Sequence, residues 1–136
     1  VLSAGDGRVI RADVDYREAT AAEMEQWLAQ CRQEHMTPAW IQDKLGGRQV
    51  WIDHGNGIST RYLHLSGIAP GIAPGVAIKA GDIIAYAGNS GTPEAAAGLV
   101  TDVHLHVEVR IGNSYLGRWI SPIETRRALW RMFGSP

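Results

Sequence analysis

The chain has 136 residues, of which 45% are apolar and 20% are charged, with 13 Lys and Arg against 14 Asp and Glu. This length is typical of one domain and is sufficient to bury a core without disulfides. The net charge of −1 lacks the surplus of basic side chains that nucleic-acid binding requires, so a nucleic-acid partner is excluded. The single cysteine, Cys31, excludes an internal disulfide and a zinc site built on paired thiolates. No apolar run is long enough to predict a membrane span.

Short runs rich in Val, Ile and Tyr alternate with Gly-containing turns, a pattern that predicts a mainly β domain. The expected strands cover residues 7–14, 48–53, 58–65, 83–87 and 103–111. The turn His54-Gly-Asn-Gly57 predicts a hairpin between the second and third of these strands, because Asn and Gly tolerate the positive φ of tight turns.

A segment of different composition, about residues 20–45, predicts a helical hairpin inserted between the first two strands. Thr20 and Glu23 form a capping box ahead of apolar residues at helical spacing, which are Met24, Trp27, Leu28 and Cys31. Thr37 and Pro38 predict the N-cap and first residue of a second short helix that ends at Gly46-Gly47. We expect the insertion to cover a sheet edge and to bury Trp27 and Trp40. The alternatives are that it walls a groove or docks a partner.

A last helix is predicted over residues 122–133, after Ser121. We expect it to pack on the sheet as a closing element through its apolar side chains, which are Ile123, Leu129, Trp130 and Phe133.

Strict alternation over residues 103–110 predicts a strand with one apolar face and one face that carries two histidines. We expect the apolar face to belong to the core; it consists of Val103, Leu105, Val107 and Val109. His104 and His106 are about 7 Å apart along such a strand, so both rings can reach one ion or substrate. This spacing suits metal ligands, with the following carboxylate orienting a ring, and it equally suits a solvated polar face.

His64 ends the predicted strand 58–65. If this strand neighbours the strand of His104 and His106, three imidazoles share one cleft. Such a cleft suits a three-histidine metal site, or one metal ligand beside two acid–base groups. The other candidate side chains are expected to have structural roles at turns and helix ends; they are His35, His54, Asp53 and Asp102.

Several blocks of this sequence together resemble the lysostaphin/LytM-type zinc peptidases in order and spacing. They are Gly5-Asp-Gly-Arg-Val9, Val50-Trp-Ile-Asp-His-Gly-Asn-Gly57, Thr60-Arg-Tyr-Leu-His-Leu65, Val76-Ala-Ile-Lys-Ala-Gly-Asp82, Ala87-Gly-Asn-Ser-Gly91 and His104-Leu-His-Val-Glu108. The resemblance covers nearly the whole chain except the insertion. It implies a single domain over residues 1–136, with an antiparallel, sandwich-like β fold and an open groove.

The same resemblance implies a zinc-dependent endopeptidase that cuts cross-links or stem peptides of bacterial peptidoglycan, in the periplasm or outside the cell. Carried over position by position, it makes His106 a zinc ligand and His64 and His104 the catalytic pair beside the metal. In such a site, zinc lowers the pKa of a bound water, and the two histidines take up a proton and hold the developing oxyanion.

One part of the family pattern is missing. The family's other two zinc ligands belong to a His-x-x-x-Asp motif upstream of the block that begins here at Val1, and this sequence contains no such motif. We expect an N-terminally incomplete domain whose missing ligands come from an upstream segment or a second chain. The alternatives are a catalytically degenerate module that binds cell wall or activates a partner amidase, and a metal site built from His64, His104 and His106 alone.

Overall fold

The computed structural model describes residues 1–133. The strands are β1 (Gly7–Ala12), β2 (Val50–Gly55), β3 (Ile58–Leu63), β4 (Leu65–Ile68), β5 (Ala77–Ile78), β6 (Ala85–Ala87), β7 (His106–Ile111) and β8 (Ser114–Tyr115). The helices are α1 (Ala21–Glu34), α2 (Ala39–Leu45), α3 (Pro93–Ala96) and α4 (Pro122–Phe133).

Six strands form an antiparallel sheet in the order β5-β1-β2-β3-β7-β8, and β4 pairs with β6 in a second, two-stranded sheet. The predicted hairpin joins β2 to β3 and turns through Asn56, whose φ is 52°. The predicted mainly antiparallel fold, with a helical hairpin and a C-terminal helix, is confirmed. The pairing of β3 with β7 places Leu63 opposite His106, and this register brings the histidine-bearing segments together.

The core lies between the inner face of the large sheet and the small sheet. Its buried side chains come from β1, β2, β3 and β5 on one side and from the β4–β6 region on the other; they are Val9, Val50, Ile52, Tyr62, Leu65, Ile78, Ile84 and Ala85. Because all of them are apolar or aromatic, their burial stabilises the two sheets against each other.

The inserted hairpin forms as predicted in outline. Thr20 caps α1 with both bonds of a capping box, and Met24 is the buried residue of that helix. The helix α2 begins one residue later than predicted, because Pro38 is extended, with ψ at 144°, and serves as the N-cap. Trp27 packs edge-on against Trp40 at 6.4 Å, but Trp40 remains 50% exposed, so the prediction that both indoles are buried is wrong.

Four strand predictions are too long. The predicted strands 7–14 and 83–87 each exceed the observed strand by two residues, and the other two errors fall at histidines. The predicted strand 58–65 divides into β3 and β4 because His64 has a φ of 59°, which extended chain cannot adopt. The predicted strand 103–111 begins only at His106, while His104 makes an isolated bridge with Gly88. The short elements β5, β8 and α3 were not predicted.

The apolar face formed by β7 and by the residues just before it lies mostly outside the core. Val109 is 6% exposed, but the three residues before it on that face are 40–53% exposed, which corrects the prediction for Val103, Leu105 and Val107. The partner strand β8 covers only the end of β7, and a groove of about 930 Å³ separates β7 from α4.

The helix α4 forms where it was predicted, but it does not close the core. Ile123, Leu129 and Trp130 are exposed, so the predicted docking is wrong for them, and the side chain of Phe133 lies outside the described residues. Within residues 1–133, no helix combines the length and the apolar character that crossing a membrane requires.

Candidate active site

His64 lies at the junction of the two sheets in a left-handed backbone conformation. Its backbone N–H donates to the carbonyl of Gly46 at 2.9 Å, and the next residue donates to the carbonyl of Arg48 at 3.1 Å. The segment that follows α2 therefore holds the chain at this bend. This conformation turns the chain away from the sheet after Leu63.

The structure brings the three predicted site histidines together. The ring of His64 lies 4.8 Å from that of His104 and 5.6 Å from that of His106, centroid to centroid. The cluster forms because β3 pairs with β7 and because the bridge between Gly88 and His104 holds the residues just before β7. The predicted condition for a shared cleft, adjacent histidine-bearing strands, is met.

Backbone carbonyls fix the proton positions of two of these rings. The Nδ1 atom of His64 lies 2.8 Å from the carbonyl oxygen of Ser90, and the Nδ1 atom of His104 lies 2.7 Å from that of Asp102. A carbonyl oxygen can only accept a hydrogen bond, so each Nδ1 must carry the proton. In the neutral form, each Nε2 then presents a lone pair that can take up a proton.

The environment of His64 favours its neutral form. Burial lowers the pKa of His64 below the 6.5 of a free imidazole, the neighbouring His104 and His106 lower it further, and the bond to Ser90 opposes the change. A neutral imidazole at neutral pH is what a general base requires.

A carboxylate and two arginines lie beside His106. Glu108 has one oxygen 3.8 Å from the Nε2 atom of His106, and its other oxygen is 3.9 Å from Arg61 and 3.5 Å from Arg110. Burial and the nearby Arg110 lower the pKa of Arg61. Glu108 is thus the carboxylate beside the His106 ring, at a distance longer than that of a hydrogen bond.

The described residues do not complete a zinc site. Catalytic zinc takes three protein ligands, and in residues 1–133 no group of three or more His, Cys, Asp or Glu side chains is placed to hold a metal ion. Imidazole nitrogen is a donor that zinc accepts, so His106 is chemically suited to one of the three ligand positions.

The other candidate residues have structural contacts. His54 bonds to the carbonyl of Asp6 at 2.7 Å and to the hydroxyl of Thr60 at 2.8 Å. His35 is the left-handed C-cap of α1. A side-chain oxygen of Asp53 accepts from the backbone of Gly55 in the β2–β3 turn.

The backbone acceptors of the site could not be found from the sequence. The sequence Gly-Asn-Ser-Gly at residues 88–91 predicts a tight turn. The residue types of this turn do not indicate that the backbone carbonyl of Ser90 faces His64. The carbonyl of Asp102 is hidden from sequence in the same way.

Comparisons with known proteins agree with this fold. The sequence model of Peptidase family M23 matches residues 35–118. A protein from Ruminococcus gnavus named as a lytM-type glycyl-glycine endopeptidase is 25% identical over 80% of this chain and 32% of its own, with a TM-score of 0.50.

Two catalytic domains share the fold at lower identity. The catalytic domain of the antimicrobial peptidase lysostaphin from Staphylococcus simulans is 18% identical over 93% of this chain and 69% of its own, with a TM-score of 0.53. A variant of the catalytic domain of the prophage-encoded M23 protein EnpA from Enterococcus faecalis is 18% identical over 90% of this chain and 68% of its own, with a TM-score of 0.54. The chain spans much less of other matched structures, 23% of one and 52% of another.

Proposed function

Because this chain belongs to peptidase family M23, as the sequence resemblance predicted, we propose that it acts in zinc-dependent hydrolysis of peptide bonds in bacterial peptidoglycan. The bonds are those of the cross-links or stem peptides, and the place of action is the bacterial envelope or the space outside the cell. The similarity to the Ruminococcus gnavus protein, which is named for glycyl-glycine cleavage, supports a peptide substrate.

The observation that carries this proposal is the cluster of three imidazoles, in which two rings are held by backbone carbonyls through Nδ1. A polar strand face of solvated histidines has no need of fixed tautomers. Two adjacent Nε2 lone pairs are suited to acid–base work on one bound peptide.

The proposed roles follow from these proton positions. His64, which is half-buried and favoured in its neutral form, accepts a proton at Nε2 from the attacking water. His104, which is more exposed, donates from Nε2 to the carbonyl oxygen or the leaving amine when it is protonated.

His106 is proposed as the zinc ligand that this chain supplies. The further ligands would come from an upstream segment or a second chain, because the described residues do not provide them. Elemental mass spectrometry on chain purified with zinc and without chelator tests this point. We expect bound zinc to depend on His106, so that His106→Ala lowers the zinc content of any preparation that holds it.

Hydrolysis is tested with purified peptidoglycan sacculi and with tetraglycine, in the presence of zinc, by measuring the release of free amino groups. We expect His64→Ala and His104→Ala each to lower the rate by about 100-fold or more, since positioned acid–base groups contribute that much. His35→Asn is the matched control, because His35 lies at the left-handed end of α1, outside the cluster, and Asn tolerates that conformation.

If His64→Ala and His104→Ala hydrolyse at the wild-type rate, the proposed roles are wrong. A second candidate function is favoured by the incomplete metal site: a degenerate module that binds the cell wall or activates a partner amidase. In that case the wild-type chain sediments with sacculi but contains no zinc and releases no amino groups.

A further inference from the structure

A carboxylate from outside the histidine cluster bonds to the loop that holds His64. Glu18 lies between β1 and α1, in the segment that leads into the helical insertion. Its two side-chain oxygens accept from the backbone N–H of Gly91 at 3.0 and 3.2 Å. Gly91 follows Ser90, whose carbonyl accepts from His64 at 2.8 Å.

Glu18 is itself held in place. One of its oxygens accepts from the hydroxyl of Tyr16 at 2.8 Å and from the backbone of Ala19 at 3.1 Å. The Tyr16 ring also lies 5.5 Å from the guanidinium of Arg48. Burial and the adjacent Glu18 raise the pKa of Tyr16, so its hydroxyl keeps the proton that it donates. The carboxylate is therefore a fixed acceptor.

The loop of residues 89–91 is also held from the opposite side. The hydroxyl of Ser90 accepts from the backbone of Arg48 at 2.9 Å, and Gly47 packs directly on Ser90. Ser90 thus lies between the segment after α2 and Gly91, whose backbone N–H donates to Glu18. Removing the carboxylate of Glu18 therefore leaves the loop held only by Gly47 and Arg48 among these contacts, and gives it freedom to move relative to His64.

We propose that Glu18 is a positioning residue for His64: it fixes the loop of Ser90 and Gly91, and this loop holds the His64 ring in its Nδ1–H tautomer with Nε2 free. The catalytic consequence rests on the proposed function, in which His64 is the general base. The effect on the tautomer does not depend on that function. The segment between β1 and α1, which contains Glu18, is then part of the active-site framework as well as a connection to the helical insertion.

The test is a comparison of imidazole nitrogen resonances in the full chain labelled with ¹⁵N-histidine, for wild type, Glu18→Ala and Glu18→Gln. In wild type we expect His64 to show a protonated Nδ1 and an unprotonated Nε2. Glu18→Ala should convert His64 to a mixture of tautomers. His104 is an internal control, because its Nδ1 is held by Asp102 and not by the loop of Ser90.

Glu18→Gln is the conservative variant, since its amide oxygen can still accept from Gly91. We expect it to keep more of the Nδ1–H tautomer of His64 than Glu18→Ala does. Glu25→Ala is the matched surface control, because Glu25 is exposed on α1 and pairs only with Arg32 among the described residues. It should leave both rings unchanged.

Kinetics on sacculi supply the second measurement. Because small displacements of a catalytic group are costly, we expect Glu18→Ala to lower kcat by about 10- to 100-fold with KM unchanged. If the wild-type chain is not a hydrolase, the proposed function fails, and the nitrogen resonances still decide the positioning role.

An unchanged His64 tautomer in folded Glu18→Ala overturns the proposal. If Glu18→Ala does not fold, Glu18→Gln is compared with wild type in its place, because its one amide oxygen replaces the two carboxylate oxygens only in part. A second His64 tautomer that wild type lacks then supports the proposal, and a tautomer identical to that of wild type overturns it. A change at His64 with His104 unaffected supports the proposal, and equal changes at both rings overturn it, because they indicate a general loss of structure.

Discussion

Gly47 offers a direct test of the contact between the segment after α2 and the loop beneath His64. Its φ is 65°, and a Cβ atom built on it would lie 2.2 Å from the carbonyl oxygen of Ser90 and 2.5 Å from the hydroxyl of the same residue. Carbon and oxygen atoms do not approach to such distances, so Gly47→Ala forces a backbone segment to move. The oxygen that must move is the one that accepts from His64.

The expected cost has two parts. A left-handed conformation costs an alanine about 1–2 kcal/mol, and forcing extra atoms into a packed site costs about 1–3 kcal/mol. Gly47→Ala should therefore lower the free energy of unfolding by about 2–5 kcal/mol. Gly71→Ala is the matched control, because Gly71 also has a positive φ, 82°, but has no atom within 4 Å of its Cβ position. It should lose only the conformational part, about 1–2 kcal/mol.

Urea unfolding followed by tryptophan fluorescence measures both variants, and the difference between them isolates the steric part. The restriction of the unfolded chain by alanine is common to both variants and cancels in this difference. A Gly47→Ala variant that is no less stable than Gly71→Ala would refute the predicted clash with Ser90. Equal stabilities would mean that the backbone of Gly47 does not lie against Ser90 in solution.

Two further predictions concern the core and the insertion. The hydroxyl of Tyr62 accepts from the backbone N–H of Ala4 at 2.8 Å and shares a hydrogen bond with the hydroxyl of Thr60 at 3.1 Å. Tyr62→Phe removes both bonds and leaves the Ala4 N–H without this partner, so it should cost about 1–3 kcal/mol in urea unfolding. Wild-type stability of the variant would contradict these bonds. The bond from Arg17 is the largest cause that lowers the pKa of Glu23 from 4.5 to about 2, so the stability that ionised Glu23 contributes is complete above pH 4.5 and is lost as the pH falls towards 2. Glu23→Gln should reduce this acid sensitivity of the urea midpoint, and an unchanged pH profile would show that Glu23 does not contribute to it.

The sequence was sufficient for the elements whose signals are local. The capping box of Thr20 and the Asn56 turn were predicted because each depends on a few adjacent side chains. The break at His64 was not predicted, because its positive φ is stabilised by bonds to the segment after α2, far away in sequence. Alternation of side chains cannot show such a break.

Burial was predicted less well than secondary structure. The alternating apolar residues predicted a strand that forms from His106 onwards, but alternation shows only that two faces differ and not that a neighbour covers one of them. Val109 is covered, whereas Val107 faces the groove between β7 and α4. The same limitation applies to α4, whose periodicity is helical although Trp130 is 71% exposed.

The histidine cluster shows how far side-chain patterns lead towards a site. The residue types predicted that His64, His104 and His106 share one cleft only if their two strands are neighbours. That β3 pairs with β7 could not be predicted, because these strands are far apart in sequence and no hairpin joins them. The proton positions depend instead on two backbone carbonyls, and every residue has such a group, so no residue type marks them. A carboxylate that bonds to the backbone beside one of these carbonyls is equally invisible, which is why Glu18 could be identified only from the structure. The helical insertion differs from the rest of the chain in composition. The segment that leads into it is connected to the site through the bond between Glu18 and the backbone of Gly91.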